Sequence, residues 1–314
     1  MNERILISCV QLQRTLADHR HRLDERHAEL ILPSIRQQLS EVEMLELIPG
    51  VDGMIAGDDY LTRAVLERAD RLKIVSKWGV GTDSIDLAAA AELGIRVTNT
   101  PGMFGDEVAD VAIGYLIMLA RQLHRTDRAV RAGEWAKPDG TSLAGRTMGV
   151  VGLGNIGRAV ARRALAMSMR VLGAEIDPAN QASAAQLGVN VVSLQALLAE
   201  SQVISLNAPL TAGSHHLLNA DTLAVLPRGA WIINTARGGL IDEAALIEAL
   251  GTGQVGAAAL DVFEVEPLPI SSPLRQFEQV IFGSHNGSNT VEARHRTSEL
   301  AIENLIRGLD EVRR

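Results

Sequence analysis

Short apolar runs alternate with amphipathic stretches along most of the chain, which predicts strands threaded between helices. In the first third, strands are expected at Ile5–Cys9, Met54–Ala56, Leu72–Ser76 and Ile95–Thr98. Helical segments such as Leu61–Ala69 and Asp86–Leu93 lie between them. A second series begins at Met148, with strands expected at Gly149–Gly152, Val171–Ala174, Asn190–Val192, Val203–Leu206, Trp231–Asn234, Gly256–Leu260 and Val280–Phe282. Strands that alternate with helices imply parallel sheets covered on both faces. Asn99-Thr100-Pro101-Gly102 is a turn signal between the two series. A single long helix is expected from about Glu107 to Arg131, apolar in its first half and basic in its second. A last helix, from Glu292 to about Glu311, follows the second series and could return to the first.

The second series opens on Met148-Gly149-Val150-Val151-Gly152-Leu153-Gly154-Asn155-Ile156-Gly157, a buried strand running through a glycine turn into a helix. Gly152, Gly154 and Gly157 have the G-x-G-x-x-G spacing. The first glycine permits the tight turn, the second lets a pyrophosphate approach the backbone, and the third lets helix and strand pack closely. The helix N-terminus offers unpaired N–H groups to the phosphates. The next strand ends at Glu175, 18 positions past Gly157, close to where such folds place the carboxylate that accepts from a ribose hydroxyl. A carboxylate there repels a 2′-phosphate, and no arginine follows it, so NAD is expected rather than NADP. Asp177 competes with Glu175 for this contact.

The 314 residues suffice for two domains, each with its own core. A formal net charge of −8 disfavours nucleic acid and anionic membrane as partners. The longest apolar run, Val111 to Ala120, is about half of what a membrane span needs. The N-terminus reads as a first buried strand rather than a signal peptide. The single cysteine, Cys9, excludes an internal disulfide and reads as a small buried hydrophobe. No metal site is expected: His19 and His21 sit among arginines on a face expected to be solvated, and His215-His216 are adjacent rather than one helical turn apart. A cytoplasmic protein fits these features.

Three segments at the carboxyl ends of the later strands carry groups with chemistry: Asn234–Gly239, Asp261–Pro267 and Gly283–Ser288. Open α/β sheets place their ligands at that edge. Together the segments supply a cation, a carboxylate and an imidazole, the parts that hydride transfer to a keto acid needs. Arginine grips a carboxylate bidentately. Histidine gives a proton to oxygen as hydride reaches carbon, and a carboxylate on the far ring nitrogen orients the imidazole and favours its charged form.

The sequence resembles the D-isomer-specific 2-hydroxyacid dehydrogenases, particularly their phosphoglycerate dehydrogenase-like members, over nearly the whole chain. The resemblance rests on Lys77–Asp86, Asn99–Gly102, the glycine motif, Asn234–Gly239, Asp261–Pro267 and His285–Ser288. It implies two doubly wound α/β domains: a flavodoxin-like substrate domain of residues 1–99 and 291–314, and a Rossmann NAD-binding domain of residues 100–290. It implies interconversion of a D-2-hydroxy acid and its 2-oxo acid by hydride transfer, with 3-phosphoglycerate, hydroxypyruvate and glyoxylate as candidate substrates, Arg237 binding and polarising the 2-oxo acid and His285 as the acid/base. Glu266 rather than Glu264 would pair with His285, since it precedes Pro267. Lys77 and the amides of Val80 and Gly81 would join Arg237 in binding substrate. Asn155 and Ile156 would meet pyrophosphate, and Ala208, Pro209, Thr235, Ala236, Asp261 and Gly287 would line the cofactor crevice. A homodimer built on the region of the long helix is implied as well. The chain departs from the family pattern at Ser284, Asn286 and Asn207, and Glu175 replaces the commoner aspartate. Two other readings fit the same scaffold: a dinucleotide-sensing corepressor-like protein, and a dehydrogenase of another small anion such as formate or phosphite.

Overall fold

A computed structural model describes residues 2–311, and the chain divides into two compact units. One comprises Met1–Met103 with Asn289–Arg314, the other Phe104–Ser288.

The first unit holds a parallel sheet of β1 (Arg4–Ile7), β2 (Glu29–Ile31), β3 (Gly53–Ala56), β4 (Ile74–Lys77) and β5 (Arg96–Thr98). The order β2-β1-β3-β4-β5 is that of the flavodoxin-like fold. β3 and β4 are buried along their full length, as parallel strands covered on both faces must be. One face packs Leu6, Met54, Ala56 and Val75 against Met44, Ile48, Val65, Leu66 and Ala89. The helices on that side begin where side chains satisfy their first amides: Ser40 forms a capping box with Glu43, and Thr62 and Asp86 cap the next two. The helix Val291–Glu311 does return to this unit and packs on β3 and β4. Ser76 Oγ donates to the Ala301 carbonyl at 2.8 Å, and Trp78 Nε1 donates to Ser298 Oγ at 3.1 Å. β2 has no counterpart in the expected strands, because three half-exposed residues make too short a pattern to read.

The second unit holds a parallel sheet of β6 (Thr147–Val151), β7 (Arg170–Ala174), β8 (Asn190–Val191), β9 (Val203–Leu206), β10 (Ala230–Asn234), β11 (Val255–Leu260) and β12 (Val280–Phe282). Its order is β12-β11-β10-β9-β6-β7-β8, so the winding reverses between β6 and β9. Successive residues feed opposite faces. Val150, Ile233 and Ala259 join one core with Ala112, Leu116 and Val160. Val151, Ile232 and Ala258 join the other with Leu197, Leu246 and Leu250.

Two expectations need correction. The helix expected over 107–131 is two helices, Gly105–Arg121 and Leu123–Arg131. Gln122 between them has a left-handed backbone (φ 51, ψ 35), and its amide donates to the Asp139 carbonyl at 2.8 Å. The crossing segment also takes the helix end, since Thr141 N donates to the Ala120 carbonyl. No glycine or proline marks this break, and a distant segment imposes it. Second, His19 is buried rather than solvated: its ring lies 5.2 Å from that of His295, and burial holds its pKa below the usual histidine value.

Candidate active site

The glycine turn lies at the point where the second sheet reverses. Gly152 (φ +86) packs so closely on the backbone of Asn207 and Ala208, just after β9, that a Cβ there would come within 2.8 Å of it. A Cβ on Gly157 would run into the Gly152 carbonyl, so helix Asn155–Ala166 can approach β6 only with glycine at this position. Around Gly154 the space is open, with nothing within 4 Å of where a Cβ would stand. Asn155 and Ile156 begin the helix, and their amides belong to the first turn, which has no intrahelical acceptor for them.

Glu175, just past β7, folds back on this turn. Its Oε2 accepts from Leu153 N at 2.8 Å, and its Oε1 accepts from Ile176 N and Asp177 N. Asp177 has different work: its carboxylate caps helix Pro178–Gln186 by accepting from Ala179 N at 2.8 Å. Across the switch point, Thr235 Oγ1 and Asn207 Oδ1 are buried with no hydrogen-bond partner among the described residues. An opened cradle at Gly154, first-turn amides and two orphaned polar atoms on the same sheet edge suit a dinucleotide, which would satisfy them.

β10 ends on the buried Asn234, which shapes the next turn. Its Nδ2 donates to the Arg237 carbonyl at 2.8 Å and its Oδ1 accepts from Ala236 N at 3.0 Å. Arg237 Nη1 donates to the Ala236 carbonyl at 2.7 Å. The adjoining Gly238 abuts the Phe263 carbonyl and the Glu264 amide, where a Cβ could not fit. The turns after β10 and β11 are thereby in backbone contact.

The turn after β11 provides Glu266. Its Oε1 accepts from Phe263 N at 2.9 Å, which aims Oε2 at His285 Nδ1, 2.7 Å away. Glu264 does not share that ring, for its Oε1 lies 2.6 Å from His216 Nε2. The structure thus pairs Glu266 with His285.

His285 itself has a left-handed backbone (φ 54), a conformation costing roughly 1–2 kcal/mol for a residue with a Cβ. Asp261 holds it there: its carbonyl accepts from His285 N at 2.7 Å and its Oδ2 accepts from Gly287 N at 2.8 Å. Asp261 Oδ1 accepts from the Tyr115 hydroxyl at 3.1 Å. Burial raises the Tyr115 pKa, with the adjacent Asp261 charge adding in the same direction, so Tyr115 remains the donor. Asp261 and Gly287, expected to line the crevice, therefore bond each other and shape the His285 turn.

In the first unit, the turn after β4 carries Val80 and Gly81. It is braced from the end of β5: Asn99 Nδ2 donates to the Val80 carbonyl at 2.8 Å, and Gly79 N donates to Thr100 Oγ1 at 2.9 Å. Lys77 is buried, and its ammonium donates to Asp58 Oδ1 at 2.9 Å and to the Trp78 carbonyl at 3.0 Å. Cys9 is buried as expected, its thiol pushed up to about 12 by loss of solvent.

Sequence reasoning missed Asn234, Tyr115, His216 and Glu243. Asn234 alone had a signal, a buried amide at a strand end before a turn. The others become visible only when distant segments meet. Glu243 Oε1 accepts from Glu264 N at 2.8 Å, and burial holds its carboxyl above the usual range, with Glu264 and Glu266 adding to the shift.

A doubly wound sheet with a phosphate-type glycine turn, and an imidazole–carboxylate pair on the same edge, defines a dinucleotide-dependent oxidoreductase. The comparisons agree. Residues 113–287 match the model of the D-isomer specific 2-hydroxyacid dehydrogenase NAD binding domain. A glyoxylate reductase of Thermofilum pendens is 38% identical over 85% of this chain and 81% of its own length. A hydroxypyruvate reductase of Thermotoga maritima is 39% identical over 87% and 90%. The crystal structure of a D-lactate dehydrogenase from Aquifex aeolicus, complexed with NAD and lactic acid, superposes with a TM-score of 0.86 at 27% identity, covering 98% of this chain and 97% of that one. The chain belongs to the D-isomer-specific 2-hydroxyacid dehydrogenases. It is an NAD-dependent oxidoreductase interconverting 2-hydroxy and 2-oxo acids. No helix among the described residues is long and apolar enough to cross a membrane.

Proposed function

We propose that this enzyme reduces a small 2-oxo acid, glyoxylate or hydroxypyruvate, to the D-2-hydroxy acid. The observation that carries the reading is the 2.7 Å contact between Glu266 and His285 Nδ1, beside the turn that carries Arg237. When bound, the nicotinamide supplies the hydride that adds to the substrate carbonyl carbon. Arg237 binds the substrate carboxylate through its planar fork and draws electron density from the adjacent carbonyl. His285 gives a proton from Nε2 to the carbonyl oxygen, which becomes the hydroxyl. Glu266 fixes the ring by holding Nδ1 and stabilises the imidazolium before transfer. Oxidation runs the same steps backwards, with neutral His285 accepting the hydroxyl proton.

Val80 and Gly81 amides contribute to carboxylate binding in this reading, and Lys77 supports their strand end. Gly152, Gly154, Asn155, Ile156 and Gly157 receive the pyrophosphate, and Ala208, Pro209, Thr235 and Ala236 line the crevice. Glu175 accepts from a ribose hydroxyl. Its choice over Asp177 is supported by its place against the glycine turn, where Leu153 N donates to it, whereas Asp177 caps the next helix. Asp261 and Gly287 serve by shaping the His285 turn. We also propose a cytoplasmic homodimer. Leu123, Val130 and Trp135 are exposed, and helix Leu123–Arg131 buries none of its residues within the chain. Sedimentation velocity should give one species of two chains.

A panel of 2-oxo acids with NADH and NADPH tests the reaction. Glyoxylate and hydroxypyruvate should turn over with NADH preferred. An enzyme that binds NADH but reduces no 2-oxo acid would end this reading.

A further inference from the structure

A second histidine–glutamate pair stands beside the first, and the reaction just described leaves it unused. Three contacts fix the tetrapeptide Phe263–Glu266, one internal and two to other segments. Phe263 N donates to Glu266 Oε1 at 2.9 Å, Glu264 N donates to Glu243 Oε1 at 2.8 Å, and the Glu264 carboxylate meets His216 Nε2 at 2.6 Å. His216 is itself held firmly. Its amide donates to the Gly239 carbonyl at 2.8 Å, its carbonyl accepts from Asn219 Nδ2 at 3.1 Å, and its ring stacks on His215 at 3.9 Å. Its backbone is left-handed (φ 50), which requires over-determination by neighbours.

Gly239 lies two residues past Arg237, and Gly238 touches the backbone of Phe263 and Glu264. His216 therefore binds the Arg237 turn through its main chain and the Glu266 segment through its ring. Resting on the reaction proposed above, we propose that His216 and Glu264, seated on Glu243, are positioning residues that lock the guanidinium and the Glu266–His285 pair at a fixed separation. An isolated, partly exposed ion pair contributes only about 0–1 kcal/mol to stability. This pair matters for geometry instead, because hydride transfer with proton donation tolerates little misplacement. The charged or titratable groups near the pair are His215, stacked on the His216 ring, Glu243, whose Oε1 accepts from Glu264 N, and Glu266 two residues further on. Burial holds the Glu243 carboxyl above the usual range, with Glu264 and Glu266 adding to the shift.

The test compares His216→Ala, His216→Gln and Glu264→Gln in the full chain. One readout is the NMR titration of the His285 ring without cofactor or substrate. The other is kcat and KM across pH for the best 2-oxo acid, with NADH affinity and melting temperature measured alongside. His216→Ala should lower kcat by about fivefold or more and shift the His285 titration midpoint downward, with NADH affinity kept. His216→Gln should recover most of the kcat, because its amide can still donate to Glu264. Glu264→Gln should fall between them. A kcat and a His285 midpoint both unchanged in His216→Ala would overturn the proposal. So would a loss in which NADH affinity and melting temperature fall in step with kcat, since that marks general loosening. A wild type that reduces no 2-oxo acid would end the proposed reaction and leave the NMR titration to decide the brace.

Discussion

At the scale of single residues, the site depends on side chains fixed both within their own turns and by partners from other segments. Arg237 is placed by Asn234, which clamps the turn from both sides. Arg237→Lys keeps the charge but not the planar fork, so kcat/KM for the best 2-oxo acid should fall at least about tenfold, or roughly 1.4 kcal/mol of transition-state stabilisation. A smaller loss would remove Arg237 from its assigned role. Glu266 is placed in the same way, its Oε1 held by Phe263 N. Its carboxylate on Nδ1 favours the charged ring, which reduction needs as proton donor and oxidation needs discharged. Reduction should thus fail toward alkaline pH while oxidation gains. Glu266→Gln removes the negative charge, so the alkaline limb of reduction should move to lower pH, as kcat/KM profiles in both directions would reveal. An unmoved limb would mean that Glu266 does not tune His285. Arg237, Glu266 and His285 were legible in the sequence as residue types at strand ends, and their order along the chain matched a known family. Of their contacts, the Glu266–His285 pair was legible through the resemblance, since Glu266 precedes Pro267, whereas only the folded chain sends Glu264 to His216.

At the scale of elements, the strand–turn–helix at Gly152–Gly157 was the most readable part, because each glycine answers a distinct steric demand. Gly157→Ala places a methyl against the Gly152 carbonyl, and backbone cannot yield as a side chain would. The change should cost about 1–3 kcal/mol in urea unfolding and weaken NADH binding measured by fluorescence titration. Normal values for both would show that the close approach is not required. Glu175 belongs to the same element, since Leu153 N donates to it. Glu175→Ala should weaken NADH binding and narrow its margin over NADPH, because a hydroxyl acceptor and a phosphate-repelling charge both go. Unchanged dissociation constants for both cofactors would exclude it. Elements whose limits come from elsewhere were harder to read. The break at Gln122 depends on the Asp139 carbonyl, which periodicity within a helix cannot register. β2 is too short to have a period at all.

At the scale of the molecule, both sheets follow from strands that are apolar on two faces, and their parallel winding was readable from the sequence. Buried polar groups were not, and they shape how stability responds to pH. Asp59 is fully buried. Its carboxylate accepts from Leu39 N at 2.8 Å, Gly57 N at 2.9 Å and Ser8 Oγ at 2.5 Å. Burial outweighs these donors and raises its pKa above the ordinary 3.8. A carboxyl raised on folding contributes stability that is full below its unfolded value and is lost as pH rises through the folded one. Wild type should therefore lose stability relative to Asp59→Asn as pH climbs from the ordinary carboxyl value through the raised folded one. Urea unfolding at several pH values measures the difference, and a constant difference would contradict the raised value.

The return of helix Val291–Glu311 to β3 and β4 has a consequence for synthesis. The first five strands leave the ribosome early, but the helix that covers one face of their sheet follows some 185 residues later, after Phe104–Ser288. At roughly 5–20 residues per second, that face waits on the order of ten to forty seconds without its permanent cover. The intervening unit has all its strands contiguous in sequence and can close first. Until that helix arrives, the nascent N-terminal sheet keeps an apolar face open, the kind of transient surface that promotes aggregation.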